Sequence, residues 1–320
     1  MTDLRHRLQG LWLPLVTPFR DGEVDETSLR RLARHYGASP IRGLILAATS
    51  GEGMTLRSSE LERLVTTVRD ETESRSLPIC LGLAGVDTSR LRDLLDETAD
   101  WPIDGYLISS PHYVRPSQAG LLQHFTALAD HAAWPIVLYN IPYRTAVNIG
   151  NETLLRLAEH PNIVGLKDCG ANREQSLELL RDRPAGFRVL TGEDAQYFDA
   201  LADGADGAIL LSAHVETKTF AAVQSLLKEG DRAAALARWQ EVAELTHLLF
   251  AEPSPTPAKY WLWRTGLIDS PEVRLPMVEI GPGLSAWLDR EIERRAVPID
   301  TFRGLAPAAP HAGAAVVNPG

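Results

Sequence analysis

The segment PIVLYNIPYRTAVNIGNETLLRLAEHPNIVGLKD, residues 135–168, contains two short apolar runs separated by an amphipathic stretch. The runs, 135–140 and 163–168, are apolar or small up to Asn140 and Lys167, which is typical of parallel strands covered on both faces. Residues 151–160 between them carry apolar side chains at helical spacing. The segment therefore predicts a strand–helix–strand unit.

The same unit recurs along most of the chain. Eight apolar runs predict eight strands, at residues 10–19, 43–52, 77–85, 104–113, 135–140, 163–168, 187–194 and 207–213. Helical patterns separate them, at residues 25–37, 58–72, 88–100, 117–131, 151–160 and 174–183. In the second of these, Ser59 and Glu62 have the spacing of an N-terminal capping box.

Eight such units predict an α/β fold in which the parallel sheet closes into a (β/α)8 TIM barrel. The alternative is an open, doubly wound sheet, which usually has a glycine-rich first turn. The chain contains neither a G-x-G-x-x-G nor a Walker A sequence, so we favour the barrel.

The strand–helix rhythm stops near residue 230, which divides the chain into three parts. We expect a catalytic barrel over 1–229 and a C-terminal helical extension over 230–297. Residues 298–320 are rich in Ala, Pro and Gly toward their end, and we expect a disordered tail there.

Composition narrows the class of protein. The formal net charge of -10 argues against a nucleic-acid or anionic-membrane partner. The two cysteines, Cys80 and Cys169, lie in strand-like runs and predict buried thiols in a reducing compartment. No signal-like start or membrane-length apolar run is present, so we expect a cytoplasmic protein.

Polar side chains gather where the predicted strands end, and in a barrel these ends share one rim. They are Thr49, Ser50 and Glu52 after the second run, Tyr113 after the fourth, Tyr139, Asn140 and Arg144 after the fifth, Lys167 and Asp168 after the sixth, and Glu193 and Asp194 after the seventh.

Lys167 needs the most explanation, because it follows an apolar strand and lysine is rarely buried unless it is paired or functional. Paired with Asp168 or Glu193, it would be an ordinary strand-end lysine. Unpaired and removed from water, the amine is more often neutral and can attack a ketone to form a Schiff base.

The neighbouring residue types suit that chemistry. A tyrosine such as Tyr139 can move protons beside the imine, and Arg144 can bind a carboxylate through two parallel hydrogen bonds. Backbone N–H groups of the ATSGE loop, 48–52, precede a helix and can hold a second carboxylate. The nine histidines show no H-x-H or H-E-x-x-H spacing, which argues against a metal-dependent aldolase.

Five motifs in order resemble the dihydrodipicolinate synthase / N-acetylneuraminate lyase family of pyruvate-dependent class I aldolases, and most closely its dihydrodipicolinate synthase branch. They are ATSGE (48–52), SPHYVRPSQAGLLQHF (110–125), YNIPYRT (139–145), GLKD (165–168) and the pair EPSPTPAK (252–259) and RLPM (274–277). The resemblance spans about residues 10–280.

The resemblance implies a role for seven residues. Lys167 forms the Schiff base with pyruvate, Tyr139 transfers protons, and Thr49 links Tyr139 to Tyr113, which reaches in from a neighbouring subunit. In addition, Thr49 and Ser50 hold the pyruvate carboxylate, Arg144 binds the carboxylate of the second substrate, and the Ile209 carbonyl lies near the lysine. No cofactor or metal is implied beyond the covalent lysine Schiff base.

The implied activity is condensation of pyruvate with an aldehyde such as aspartate semialdehyde, in a homo-oligomer that is a dimer or a tetramer. Two alternatives stay open: an aldolase or dehydratase of 2-keto-3-deoxy sugar acids, and a catalytically silent ligand-binding member.

The chain also departs from the family pattern. Ala48 replaces a glycine and His112 replaces a tyrosine. Ser58 stands where a histidine is often found, and Val86 and Arg90 replace the asparagine and glutamate that bind lysine in feedback-regulated synthases. We therefore expect no feedback by lysine.

Overall fold

The computed structural model describes residues 3–295, in which eight parallel strands close into a barrel. The strands are β1 (Gly10–Pro14), β2 (Gly43–Leu46), β3 (Ile79–Leu83), β4 (Gly105–Ser109), β5 (Ile136–Asn140), β6 (Ile163–Asp168), β7 (Arg188–Thr191) and β8 (Gly207–Ile209). Neighbours in sequence are neighbours in space, and β8 pairs with β1 to close the sheet. The (β/α)8 prediction is confirmed.

A helix follows each strand. These helices are α1 (Glu26–Gly37), α2 (Ser58–Thr72), α3 (Thr88–Glu97), α4 (Gln118–His131), α5 (Asn151–Ala158), α6 (Arg173–Asp182), α7 (Tyr197–Ala202) and α8 (Ala213–Lys228). The sequence patterns did not mark α7 and α8, nor the hairpin of Phe19–Arg20 with Glu23–Val24 that follows β1.

The barrel interior is filled by side chains rather than open. Trp12, Ile45, Leu107 and Val137 pack there with other buried residues. Leu4, from the short helix Leu4–Arg7, packs against Gly105, the first residue of β4. The start of the chain thus closes the N-terminal end of the barrel and leaves the C-terminal end for a site.

The predicted capping box of α2 is wrong by two residues. The helix begins at Ser58, and the carboxylate of Glu60 accepts a hydrogen bond of 2.9 Å from the N–H of Arg57. Glu60 is buried and also receives the Arg274 guanidinium at 2.6 Å. This contact with a distant segment fixes which glutamate caps the helix, and the local sequence does not reveal it.

Up to residue 295, three helices follow the barrel: α9 (Arg232–Leu248), α10 (Thr256–Arg264) and α11 (Pro282–Arg294). They belong to the expected extension, and α9 and α10 both contact α8. The predicted tail, 298–320, lies outside the described residues. Within 3–295, no helix is long and apolar enough to cross a membrane.

Candidate active site

One pocket at the C-terminal end of the barrel brings most of the predicted site residues together. Its lining includes Lys167, Tyr139, Thr49, Ser50, Arg144 and Ile209. These are six of the seven residues that the sequence singles out, and they come from four different strands or the loops that follow them. We call this space the substrate pocket.

Lys167 and Tyr139 are paired positions of β6 and β5, so their side chains point the same way. The Lys167 side chain is 6% exposed, and its Nζ lies 4.4 Å from the centre of the Tyr139 ring. Within residues 3–295, Lys167 has no ion-pair partner. Asp168 instead accepts hydrogen bonds from Ser176 Oγ (2.6 Å) and Gly170 N (2.9 Å). The ordinary ion-paired reading of Lys167 is therefore not what the structure shows.

Tyr139 is held in its protonated form. Burial raises its pKa well above the ordinary value for a phenol, and a side-chain hydrogen bond with Thr49 lowers it by a smaller amount. The Thr49 contact gives the phenol proton a polar neighbour beside the amine. This geometry allows Tyr139 to donate and recover a proton without becoming a stable anion.

The turn Thr49–Gly51 supplies backbone donors. Its own hydrogen bonds, within the described chain, use the N–H groups of Gly51, Glu52 and Gly53. The N–H groups of Thr49 and Ser50 donate no hydrogen bond to residues 3–295, so they can bind a ligand. The turn is anchored from the barrel side by Thr17, whose Oγ1 donates to the Gly51 carbonyl at 2.7 Å.

Two carboxylates follow β7 at the edge of the pocket. Asp194 is buried and accepts from Ser212 N at 2.6 Å, and burial raises the pKa of Asp194 to about 6. Burial also raises the pKa of Glu193, and its Oε1 has no hydrogen-bond partner among residues 3–295. Asp194 thus has a structural anchor, whereas Glu193 retains a free acceptor.

A cavity of about 550 Å³ adjoins the substrate pocket, and we call it the outer cleft. Its lining includes Tyr143, Arg144, Glu193, His247, Phe250 and Ser254. The Arg144 guanidinium lies 5.5 Å from the centre of the Tyr143 ring and is otherwise exposed. The cleft therefore has room and a cationic group for a second molecule beside the amine.

Sequence reasoning assigned no role to Tyr143, Phe250 or Ser254, although each lines both spaces. Tyr143 lies inside the YNIPYRT motif, but the motif gave no reason to single it out. Ser254 lies in the EPSPTPAK motif, which could have indicated that it belongs to the site. No sequence motif indicated Phe250.

Tyr113 is the predicted site residue that the single chain does not bring to the pocket. It is 89% exposed and has a positive φ of 68°, uncommon for a residue with a side chain. Val114 beside it is also exposed.

Both cysteines are buried and free, as the sequence predicted. Among residues 3–295, no group of three or more His, Cys, Asp or Glu side chains is arranged to hold a metal ion.

The barrel and its pocket define the class: this is a barrel lyase of the class I aldolase type. More particularly, the chain belongs to the dihydrodipicolinate synthetase family, whose model matches residues 7–291. It is 40% identical over 284 residues to 4-hydroxy-tetrahydrodipicolinate synthase 2 of Clostridium acetobutylicum. The matched region covers 89% of this chain and 99% of that protein.

Two solved structures are similar along nearly their whole length. One is described as the first monomeric dihydrodipicolinate synthase variant, with a TM-score of 0.89 and 28% identity, covering 92% of this chain and 99% of that one. The other is dihydrodipicolinate synthase from Cyanidioschyzon merolae with lysine bound, with a TM-score of 0.87 and 29% identity, covering 91% and 99%.

Gly192 leaves the space in which the Lys167 side chain lies. A Cβ on Gly192 would stand 2.5 Å from Lys167 Cε and would also overlap Cys169 Sγ. Because the lysine chain is the more flexible neighbour, we expect Gly192→Ala to displace the amine and lower kcat/KM by about 100-fold or more. Thermal melting should show that the variant is folded.

Two further variants make this test specific. Cys169→Ala in the Gly192→Ala background removes the sulfur overlap but not the lysine overlap, so activity should stay low. Gly283→Ala is the matched control, since a Cβ there meets no atom within 4 Å. Wild-type activity in Gly192→Ala would contradict this account of the pocket.

Proposed function

We propose that this protein condenses pyruvate with an aldehyde through a Schiff base on Lys167, as a 4-hydroxy-tetrahydrodipicolinate synthase. The observation that carries the proposal is the buried Lys167 amine, without an ion-pair partner in residues 3–295, beside the protonated Tyr139 phenol. The names of the curated relatives support the choice of reaction.

The chemistry follows from the positions of these groups. Lys167 Nζ adds to the pyruvate carbonyl carbon, and loss of water gives an iminium. The iminium withdraws electrons, so the neighbouring methyl group loses a proton to form an enamine, with Tyr139 relaying protons. The enamine carbon then attacks the aldehyde carbon, the aldehyde oxygen takes up a proton, and water releases the product from the lysine.

Each substrate carboxylate has its own set of donors in this proposal. The free N–H groups of Thr49 and Ser50 bind the pyruvate carboxylate inside the substrate pocket. Arg144 binds the carboxylate of the aldehyde substrate in the outer cleft. Ile209 lines the substrate pocket with Lys167, and in this proposal its carbonyl is a further polar group beside the amine.

The first test is chemical trapping. Borohydride reduction in the presence of pyruvate should fix a pyruvyl adduct on the peptide that contains Lys167, detected by mass spectrometry. Lys167→Arg should lose the adduct, whereas Lys218→Arg, which changes an exposed lysine, should retain it. Absence of the adduct in the wild-type protein would exclude both enzyme functions and would indicate a catalytically silent, ligand-binding member of the family.

A second candidate function, cleavage or dehydration of 2-keto-3-deoxy sugar acids, is favoured by Glu193. Glu193 lines the outer cleft together with Arg144, and one of its carboxylate oxygens, the buried Oε1, has no hydrogen-bond partner among residues 3–295. A carboxylate there can accept hydrogen bonds from sugar hydroxyls as well as from the amino group of aspartate semialdehyde.

Arg144→Ala separates the two reactions. If aspartate semialdehyde is the substrate, removing its carboxylate partner should raise its KM by about 10- to 100-fold, the usual effect of losing a charge-assisted hydrogen-bond pair. The KM for pyruvate should change far less. The measurement is a pair of steady-state titrations, with cleavage of keto-deoxy sugar acids assayed in parallel. Turnover of the sugar acids but not of aspartate semialdehyde would decide for the second function.

We also propose that Tyr113 completes the site of a second copy of this chain. Support comes from the exposed apolar side chains in the loops after β2, β3 and β4, which share one rim: Met54, Val86, Tyr113 and Val114. Thr49, the residue that Tyr113 would meet, is exposed on the same rim. The assembly is then at least a dimer.

Lysine should not regulate this protein. Val86 is exposed after β3 and cannot accept a hydrogen bond, and Arg90 at the start of α3 would repel an ammonium group. We expect initial rates to stay constant as lysine is titrated to millimolar concentrations at a fixed, subsaturating concentration of pyruvate. A saturable loss of activity would refute this expectation.

A further inference from the structure

We propose that the ion pair between Glu52 and Lys259 is a positioning device for keto-acid binding. It joins the C-terminal extension to the turn that carries the Thr49 and Ser50 N–H groups. This inference rests on the proposed function, because it assigns a role to groups that serve the same substrate pocket.

Among the ion pairs formed by residues 3–295, this one is the most buried. Lys259, on α10, is 0% exposed, and its Nζ lies 2.8 Å from Glu52 Oε1. The other carboxylate oxygen of Glu52, Oε2, accepts from Arg274 N at 3.0 Å. The Phe19 ring covers the ammonium group, at 4.4 Å from its centre. Both oxygens of Glu52 are therefore bound by the segment that follows the barrel.

The backbone around Glu52 needs such support. Ala47 and Glu52 flank the turn Thr49–Gly51 and both have positive φ angles, 55° and 50°, which disfavour residues with a Cβ. The chain also returns on itself so closely that a Cβ on Gly53 would overlap the Ala47 carbonyl oxygen. Strained conformations of this kind persist only where surrounding contacts fix them.

The contribution of this pair to the free energy of unfolding is expected to be small. Removing two charges from water costs roughly as much as their attraction returns, so a buried ion pair adds little net stability. Its distinctive property is geometric, because Lys259 can reach Glu52 only when the turn and α10 hold their present relation. We infer that the barrel supplies the lysine that reacts, while the extension keeps the carboxylate donors in place.

The positioning role and a merely structural role predict different kinetics. If the pair only stabilises the fold, breaking it lowers the melting temperature and the fraction of folded enzyme, but the folded fraction keeps its KM values. If it positions the turn, the folded enzyme loses affinity for pyruvate while the outer cleft is unaffected.

The experiment compares Lys259→Met and the double variant Glu52→Gln/Lys259→Met with wild type. We expect the KM for pyruvate, and the pyruvate concentration that half-saturates borohydride trapping, to rise at least about tenfold. The KM for the aldehyde should change by less than about threefold. The double variant leaves no unpaired buried charge, so it keeps the test available if Lys259→Met alone does not fold.

Arg31→Met is the matched control. Arg31 lies on α1 and pairs with Asp269 of the segment after α10 at 3.0 Å, so it ties the same region to the barrel without contacting the turn. This variant should lower the melting temperature with no change in the KM for pyruvate.

An unchanged KM for pyruvate in the folded variants, or an equal rise in Arg31→Met, would overturn the inference. Failure of the wild-type protein to trap pyruvate would instead overturn the proposed function.

Discussion

The register between β5 and β6 is the constraint on which the rest of the site depends. Paired residues of neighbouring parallel strands point to the same face of the sheet, and successive residues point to opposite faces. One register therefore decides both which side chains point into the barrel and which point away from it. Tyr139 and Lys167 point into the barrel, and both line the substrate pocket. Asn140 and Asp168, the next pair, hold the loops instead, Asn140 through Asn148 at 2.8 Å. A shift by one residue would exchange the reactive layer for the supporting layer.

Much of this could be predicted because its signals are local. Continuous apolar runs mark strands covered on both faces, and the fold rule that places sites at the C-terminal ends of barrel strands then collects Thr49, Tyr139 and Lys167. No structural knowledge is needed to see that an amine after an apolar strand is removed from water. The structure adds the distances and the absence of an ion-pair partner for Lys167 among the described residues.

What the sequence did not reveal depends on contacts between distant segments. Glu60 rather than Glu62 caps α2 because Arg274, more than two hundred residues away, reaches it. Glu52 looked like one more rim carboxylate, yet its partner Lys259 occupies a different motif. The role of Tyr113 remains a prediction, because the residue that it would contact belongs to a second copy of the chain.

The two halves of the proposed site rest on different kinds of support. The keto-acid half is built from strand residues and a turn that is clamped on both sides, by Thr17 and by the buried pair. The acceptor half is built from exposed side chains of the loop after β5 and of the extension, such as Arg144 and Phe250. The two spaces have lining residues in common, among them Tyr143, Arg144 and Phe250, whereas Lys167 lines the substrate pocket and not the outer cleft. In the proposed function, a single Schiff-base chemistry can therefore serve aldehydes of different shape, and we expect Arg144, Tyr143 and Glu193, which line the outer cleft, to select the acceptor rather than Lys167.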